Sequence, residues 1–371
     1  HSRQSMTSSY DILPTPYGGR GAFAREAIPK GSPILFCPAP YAAVVYWKFR
    51  REACATCYGY AFESGRNKWS VKLGGDKGQG GVWFCSEVCK DAYVEMQQNG
   101  LKLNINPSAV NALDFLQNIK ASDITSEFVD RAWSLAEEVT LEECRKKTGW
   151  TEVLTEFEVD TAQFVLDGLV RKTIEDVNLS SPIFDRVASS TKEGYSLGAG
   201  RWADFMGLQD NELSLIKSKP YLLMSRILVY RFLKYLAASL PLGNNSLATS
   251  AHARALMARD YGNVFGIWDE AKQDEGSEML GWGAYVFGSY FNHNCAPNLK
   301  KRRDRQGIQF YTLRDVSPGE ELCISYIDED SHHAKERGEQ LKKDWFFVCG
   351  CARCTAELPL ADAAVHIRPS S

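Results

Sequence analysis

Apolar residues along the chain follow two rhythms. Near the N-terminus they form short runs bounded by proline and glycine, Pro33 to Cys37 and Tyr41 to Tyr46, which predict strands. Ahead of these runs, Tyr17-Gly18-Gly19-Arg20-Gly21 reads as a glycine turn. Between residues 87 and 175 the spacing becomes helical, through Val94, Met96, Val110, Leu113, Phe115 and Leu116, then Phe128, Trp133, Leu135, Ala136 and Val139. Ser180 to Gly200 is less patterned. Tyr221 to Leu240 is the most apolar long stretch, but Arg226, Arg231 and Lys234 lie inside it. It therefore predicts a buried amphipathic helix and not a membrane span. Leu242 to Ser250 reads as a polar loop. Ile308 to Leu313 and Glu321 to Tyr326 predict strands on either side of the turn Asp315 to Glu320. A charged helix is expected from about Ser331 to Lys343. No internal repeat is visible. Short strands at both ends with helices between them give an α+β fold.

Composition narrows the class. The 371 residues are 44% hydrophobic and 24% charged, which is ordinary for a globular chain and excludes a disordered or collagenous one. Lys+Arg at 43 against Asp+Glu at 46 leaves a net charge of -3, which argues against direct nucleic-acid binding by the chain as a whole. The basic run Lys300-Lys301-Arg302-Arg303-Asp304-Arg305 reads as a solvated hairpin, or otherwise as an import signal or a contact for an acidic partner. No secretory leader is recognised, and His1 to Ser5 ahead of Met6 read as a tag remnant. The sequons at Asn178 and Asn244 are accordingly expected to be unused, in the nucleus or cytoplasm. His332 and His333 begin a polar helix and take no role.

Of the 11 cysteines, most fall in closely spaced groups, a pattern that favours metal binding in a reducing compartment. Cys54-x2-Cys57 and Cys85-x3-Cys89 supply two thiolate pairs for a tetrahedral structural zinc, the alternative being four buried free thiols. Cys349, Cys351 and Cys354 supply three ligands and need a fourth, for which Cys295 is the candidate, so two zinc ions are expected. Cys37, Cys144 and Cys323 are left as small core residues.

Ser289-Tyr290-Phe291-Asn292-His293-Asn294-Cys295-Ala296-Pro297-Asn298 resembles the NHxCxPN motif of SET-domain lysine methyltransferases. Gly319-Glu320-Glu321-Leu322-Cys323-Ile324-Ser325-Tyr326 resembles the second signature of that family. Cys349, Cys351 and Cys354 match its cysteine-rich post-SET segment, and Gly19-Arg20-Gly21 its opening glycine turn. The insert from Cys54 to Cys89 resembles a MYND zinc finger, a placement typical of the SET-and-MYND (SMYD-type) enzymes. Only the first MYND ligand set is present, and the chain ends soon after Cys354, so a reduced form with a half finger and no helical C-terminal domain is expected.

The resemblance implies a SET-domain β-fold with the threaded, knot-like arrangement, zinc-finger and helical insertions, and a zinc-bound post-SET segment. Its parts would be residues 10–50 (first part of the SET domain), 51–98 (finger), 99–250 (helical insert), 251–330 (SET core) and 331–371 (post-SET). It implies transfer of a methyl group from S-adenosylmethionine to a lysine of a histone or another protein. Tyr326 would be the catalytic residue. Arg20, Gly21, Asn263, Ser289, Tyr290, Asn292, His293 and Phe347 would contact the cofactor, and Phe265 and Trp345 would line the lysine channel. The competing reading is an inactive adaptor whose zinc module binds a partner peptide.

Overall fold

Glycine geometry sets the first hairpin. Gly18 and Gly19 adopt φ of 97° and 72°, a region closed to most side chains, and reverse the chain between Tyr10–Pro14 (β1) and Arg20–Ala24 (β2). The two strands pair antiparallel, with Tyr10 opposite Ala24 and Pro14 opposite Arg20. In the computed structural model the described residues are 8–74, 81–98, 108–109, 121–138, 151–152, 154–176, 189–191, 194–238, 249–269, 278–327 and 333–357. Val110, Leu113, Phe115, Leu116, Val139, Cys144, Asn178, Asn244 and His332, named above, lie outside them, as do residues 242–248 of the polar loop and Ser331 at the expected start of the charged helix.

The chain divides into two units, each described by itself. The first gathers residues 1–39, 182–200 and 285–371. Here β2 also pairs with Glu321–Ile324 (β16), and β16 pairs in parallel with the two-residue strand Asn292–His293 (β13), giving the order β1-β2-β16-β13. A second sheet runs Leu299–Asp304 (β14), Gly307–Thr312 (β15), Pro33–Cys37 (β3), Gly194–Ser196 (β10) and Ser189–Thr191 (β9). The basic run therefore forms the outer strand of a hairpin, with Lys300, Lys301 and Arg302 exposed. Phe291 joins the core of this unit, its ring centroid 5.6 Å from Tyr10 and 4.9 Å from Phe310. Cys37 and Cys323 are buried small residues, and burial pushes the Cys37 thiol up to about 12.

The second unit holds residues 40–181 and 201–284. Its helices Glu156–Asp176, Tyr221–Ala238 and Ser250–Ala258 bury Phe164, Val165, Leu223, Ile227 and Leu256. Arg226, one of the charges that excluded a membrane span, is buried against Asp260 at 2.7 Å. Among the described residues no helix is long and apolar enough to cross a membrane. Ala43–Val45 (β4), Met279–Gly283 (β12) and Phe265–Trp268 (β11) make a three-stranded sheet, and Val71–Leu73 (β5) pairs with Val82–Phe84 (β6).

Where the expected elements shift, the cause is tertiary. β9 and β10 arise in the weakly patterned stretch before Gly200, where they pair with each other and Tyr195 also aligns in parallel with Leu35 of the distant β3. Within the stretch that reads as helical, Ser108–Ala109 (β7) pairs with Thr151–Glu152 (β8), residues far apart in sequence. The charged helix begins at Ala334, where the Glu336 carboxylate accepts the His333 N–H, and it runs on to Trp345.

Asn298, the last residue of the first motif, replaces a piece of backbone ladder. At 2% exposure, its Oδ1 accepts the Cys323 N–H at 2.8 Å, and its Nδ2 donates to the Glu321 carbonyl at 2.8 Å and to the Glu320 carboxylate at 3.1 Å. Asn298→Ala strands a buried N–H and a carbonyl of β16, each at about 1–3 kcal/mol. A matching fall in the unfolding free energy from urea titration is expected, and Asn298→Asp, which retains the Oδ1 acceptor but sets a carboxylate oxygen against the Glu320 carboxylate and the Glu321 carbonyl, should lose at least as much.

Candidate active site

The first unit brings Asn292, His293 and Tyr326 together because β13 lies beside β16, with Asn292 level with Cys323 and His293 with Ile324. The chain reaches β13 through a 3-10 turn, Gly288–Tyr290, in which the Ser289 hydroxyl donates to the Tyr285 carbonyl at 3.1 Å. The Arg20 guanidinium lies 5.1 Å from the Tyr290 ring centroid. Ser289 and Tyr290 thus shape this turn while Asn292 and His293 follow it into the sheet.

His293 is held from both sides. Its Nδ1 accepts the Tyr326 N–H at 3.0 Å, so the ring proton sits on Nε2, which lies 3.2 Å from the Cys295 sulfur. Burial pushes this imidazole down to about 4, so it is neutral. The Tyr326 hydroxyl donates to the Phe291 carbonyl at 3.0 Å. Burial, followed by the nearby Cys323 and Glu321 groups, holds that hydroxyl well above the usual phenol range and keeps it protonated.

An aromatic wall stands over these groups. The Trp345 ring centroid lies 5.6 Å from that of Tyr326, and Phe347 lies 6.3 Å from Tyr326, edge-on, and 6.0 Å from His293. Phe346 makes this possible by ending the preceding helix in the left-handed region, φ 65°, so that Phe347 and Cys349 turn back towards Cys295.

Two groups of cysteines bring their sulfurs within 4.8 Å of one another, Cys54, Cys57, Cys85 and Cys89 in the second unit and Cys295, Cys349, Cys351 and Cys354 in the first. Four converging thiols fit a closed tetrahedral zinc site. A zinc with four thiolates carries net negative charge, and Arg337, at 0% exposure, meets it from inside. Its guanidinium lies 3.6 Å from the Cys354 sulfur and 2.8 Å from the Glu357 carboxylate. Arg353 adds a bond to the Cys295 carbonyl at 3.0 Å. The other cluster sits in its own small core of Ala61, Trp69, Trp83 and Phe84, with Tyr58 in a left-handed turn at φ 59°.

Asn263 and Phe265 belong to the second unit. Phe265 opens β11, but Asn263 precedes that strand in a turn allowed by Gly262 at φ 84°. Its amide donates to the Gln209 and Arg259 carbonyls at 2.9 and 3.1 Å. Gly21 leaves room where a Cβ would overlap the Glu321 carboxylate.

Sequence reasoning passed over Tyr17, Asn298, Glu321 and Arg337. The first three lie inside or beside the quoted motifs, so a question about what each polar side chain must bond to would have singled them out. Arg337 carries no such signal, being one charge among many in a polar helix.

Elemental analysis is expected to find two zinc ions per chain. Cys354→Ser should retain one and expose the segment after Ile327 to limited proteolysis, because structural zinc contributes on the order of 10 kcal/mol to the fold it closes. Cys89→Ser should likewise retain one but leave that segment protected.

Comparison with known proteins agrees with this geometry. The SET domain family matches residues 19–327. The chain is 28% identical to the potential protein lysine methyltransferase SET6 of Saccharomyces cerevisiae, over 94% of this chain and 95% of that protein. It is 36% identical to the human protein-lysine N-trimethyltransferase SMYD5, over 24% of this chain and 22% of that protein. A SET and MYND domain-containing protein of Dictyostelium discoideum is 34% identical over 28% of this chain and 26% of its own length. With a match that runs through both signature motifs and most of the chain, the protein belongs to the SET-domain family.

Proposed function

We propose that this chain is a protein-lysine N-methyltransferase that uses S-adenosylmethionine, a reduced member of the SET-and-MYND type. The observation that carries the reading is the Tyr326 hydroxyl, fixed on the Phe291 carbonyl beside Asn292 and His293 and beneath Trp345 and Phe347. The methyltransferase names of the relatives support it.

The residues present suit the cofactor. Around Gly18 and Gly19 no atom lies within 4 Å of where a Cβ would stand, so the turn leaves space for close approach. Asn292 offers amide hydrogen-bonding groups, Arg20 and Gly21 offer backbone, and Phe347 offers a ring face for a purine. Trp345 would flank the lysine stem. Bound there, the cofactor supplies an electrophilic methyl group on a sulfonium.

The chain's part is to position a neutral amine. An unperturbed lysine titrates near 10.4, so the free amine at neutral pH lies about 4–5 kcal/mol uphill. An aromatic, water-poor channel lowers that cost by disfavouring the ammonium. Because the Tyr326 proton is committed to Phe291, its oxygen presents lone pairs that accept from the amine N–H and orient the nitrogen. The substrate is a lysine of a histone or of another protein.

Transfer of labelled methyl from S-adenosylmethionine to core histones, and separately to a histone-depleted lysate, tests the reading. Label is expected in one pool, and Tyr326→Phe should lower the rate about 10²–10³-fold while cofactor binding persists. Absence of both transfer and cofactor binding in the wild-type chain would overturn it.

A further inference from the structure

Beyond the motif residues, the first unit contains a hydrogen-bonded lock on Asn292. The Glu321 carboxylate takes the Tyr17 hydroxyl at 2.5 and 2.7 Å and the Asn292 Nδ2 at 2.8 Å. The same Nδ2 donates to the Arg20 carbonyl at 3.0 Å and lies 3.2 Å from the Tyr17 oxygen. Glu321 and the Arg20 carbonyl are acceptors only, so the amide nitrogen must face them and the flip state of Asn292 is decided. Its Oδ1 takes no hydrogen bond from the described residues and is the pole left for a ligand. Gly21 is part of the lock, since any side chain there would displace the carboxylate.

The charge of this arrangement is unusual. Among the described residues, no cationic side chain pairs with Glu321, whose only side-chain partners are the neutral Tyr17 and Asn292. Tyr17 itself is 54% exposed, so the cluster opens to solvent at the glycine turn. A ligand arriving at Asn292 meets an acceptor oxygen backed by an uncompensated carboxylate, which favours a cation and disfavours an anion.

We infer that Tyr17 and Glu321 are positioning residues that fix Asn292 as an acceptor and make this part of the site select the ammonium of the cofactor's amino-acid end. The inference rests on the function proposed above and deepens it by assigning charge selection to residues outside the catalytic group.

Isothermal titration with two probes tests it, namely S-adenosylhomocysteine and the same thioether lacking its amine, S-adenosyl-4-thiobutyrate. Glu321→Gln is expected to weaken S-adenosylhomocysteine about ten- to hundredfold, the scale of a lost charge-assisted contact, and to leave the deaminated probe within about threefold. Tyr17→Phe, at an exposed position that does not threaten folding, should weaken the amine-bearing probe by about three- to tenfold and again spare the other. Equal losses on both probes, or no loss on either, would overturn the inference while the proposed function stands. If the wild-type chain binds neither probe, the proposed function and this inference fall together.

Discussion

The parallel pairing of Asn292–His293 with Cys323–Ile324 is the contact on which the site depends. Two residues of parallel ladder are weak alone, and a slip of one position would turn every side chain to the opposite face. The register is therefore fixed from the sides. Asn298 binds the β16 backbone at two points, the Asn294 N–H reaches the Ile324 carbonyl, and the His293 ring takes the Tyr326 N–H. Each tie joins one signature motif to the other, so the motifs act as a single structural element although they lie apart in sequence.

The two cysteine clusters share a chemistry but differ in their mechanical role. Cys54 to Cys89 close a loop local in sequence around a private core of Trp69, Trp83 and Phe84. Cys295 and the Cys349–Cys354 group join segments far apart in the chain, and the junction runs straight into the site through the His293 ring. Arg337 is what allows so much thiolate to be buried there. A guanidinium at 0% exposure would be costly without a partner, and here it faces Cys354 on one side and Glu357 on the other. The charge of the cluster and the charge of the arginine each make the burial of the other acceptable.

Much of this was legible in the sequence, for a physical reason. Metal ligands and signature motifs are short and contiguous, since a tetrahedral centre or a tight turn constrains neighbouring residues directly. Hence Cys54, Cys57, Cys85 and Cys89 could be grouped by spacing, and Cys295 could be paired with Cys349, Cys351 and Cys354 once a fourth ligand was required. The long helix from Tyr221 was equally visible, because a helix covered on nearly all sides is apolar along most of its length. What could not be read were pairings made at a distance. β10 pairs with the distant β3 as well as with its neighbour β9, and the link from Tyr17 to Glu321 spans nearly the whole chain. Asn263, expected only as a cofactor contact by resemblance, lies before a strand that the left-handed Gly262 delays to Phe265.

The same contacts bear on how a methyltransferase of this design would handle protons. Its candidate bases in the first unit are already engaged. His293 uses Nδ1 on the Tyr326 N–H and directs Nε2 towards a cysteine sulfur, and burial keeps it neutral at a low pKa of about 4. The Tyr326 hydroxyl is committed as a donor, and the Glu321 carboxylate is occupied by Tyr17 and Asn292. None of these groups is arranged to remove a proton from a lysine ammonium within the transfer step. Under the proposed function, loss of that proton therefore precedes transfer and is favoured by desolvation. The rate enhancement would then come from orientation of the free amine, the contribution that a rigid hydroxyl and an aromatic wall are suited to make.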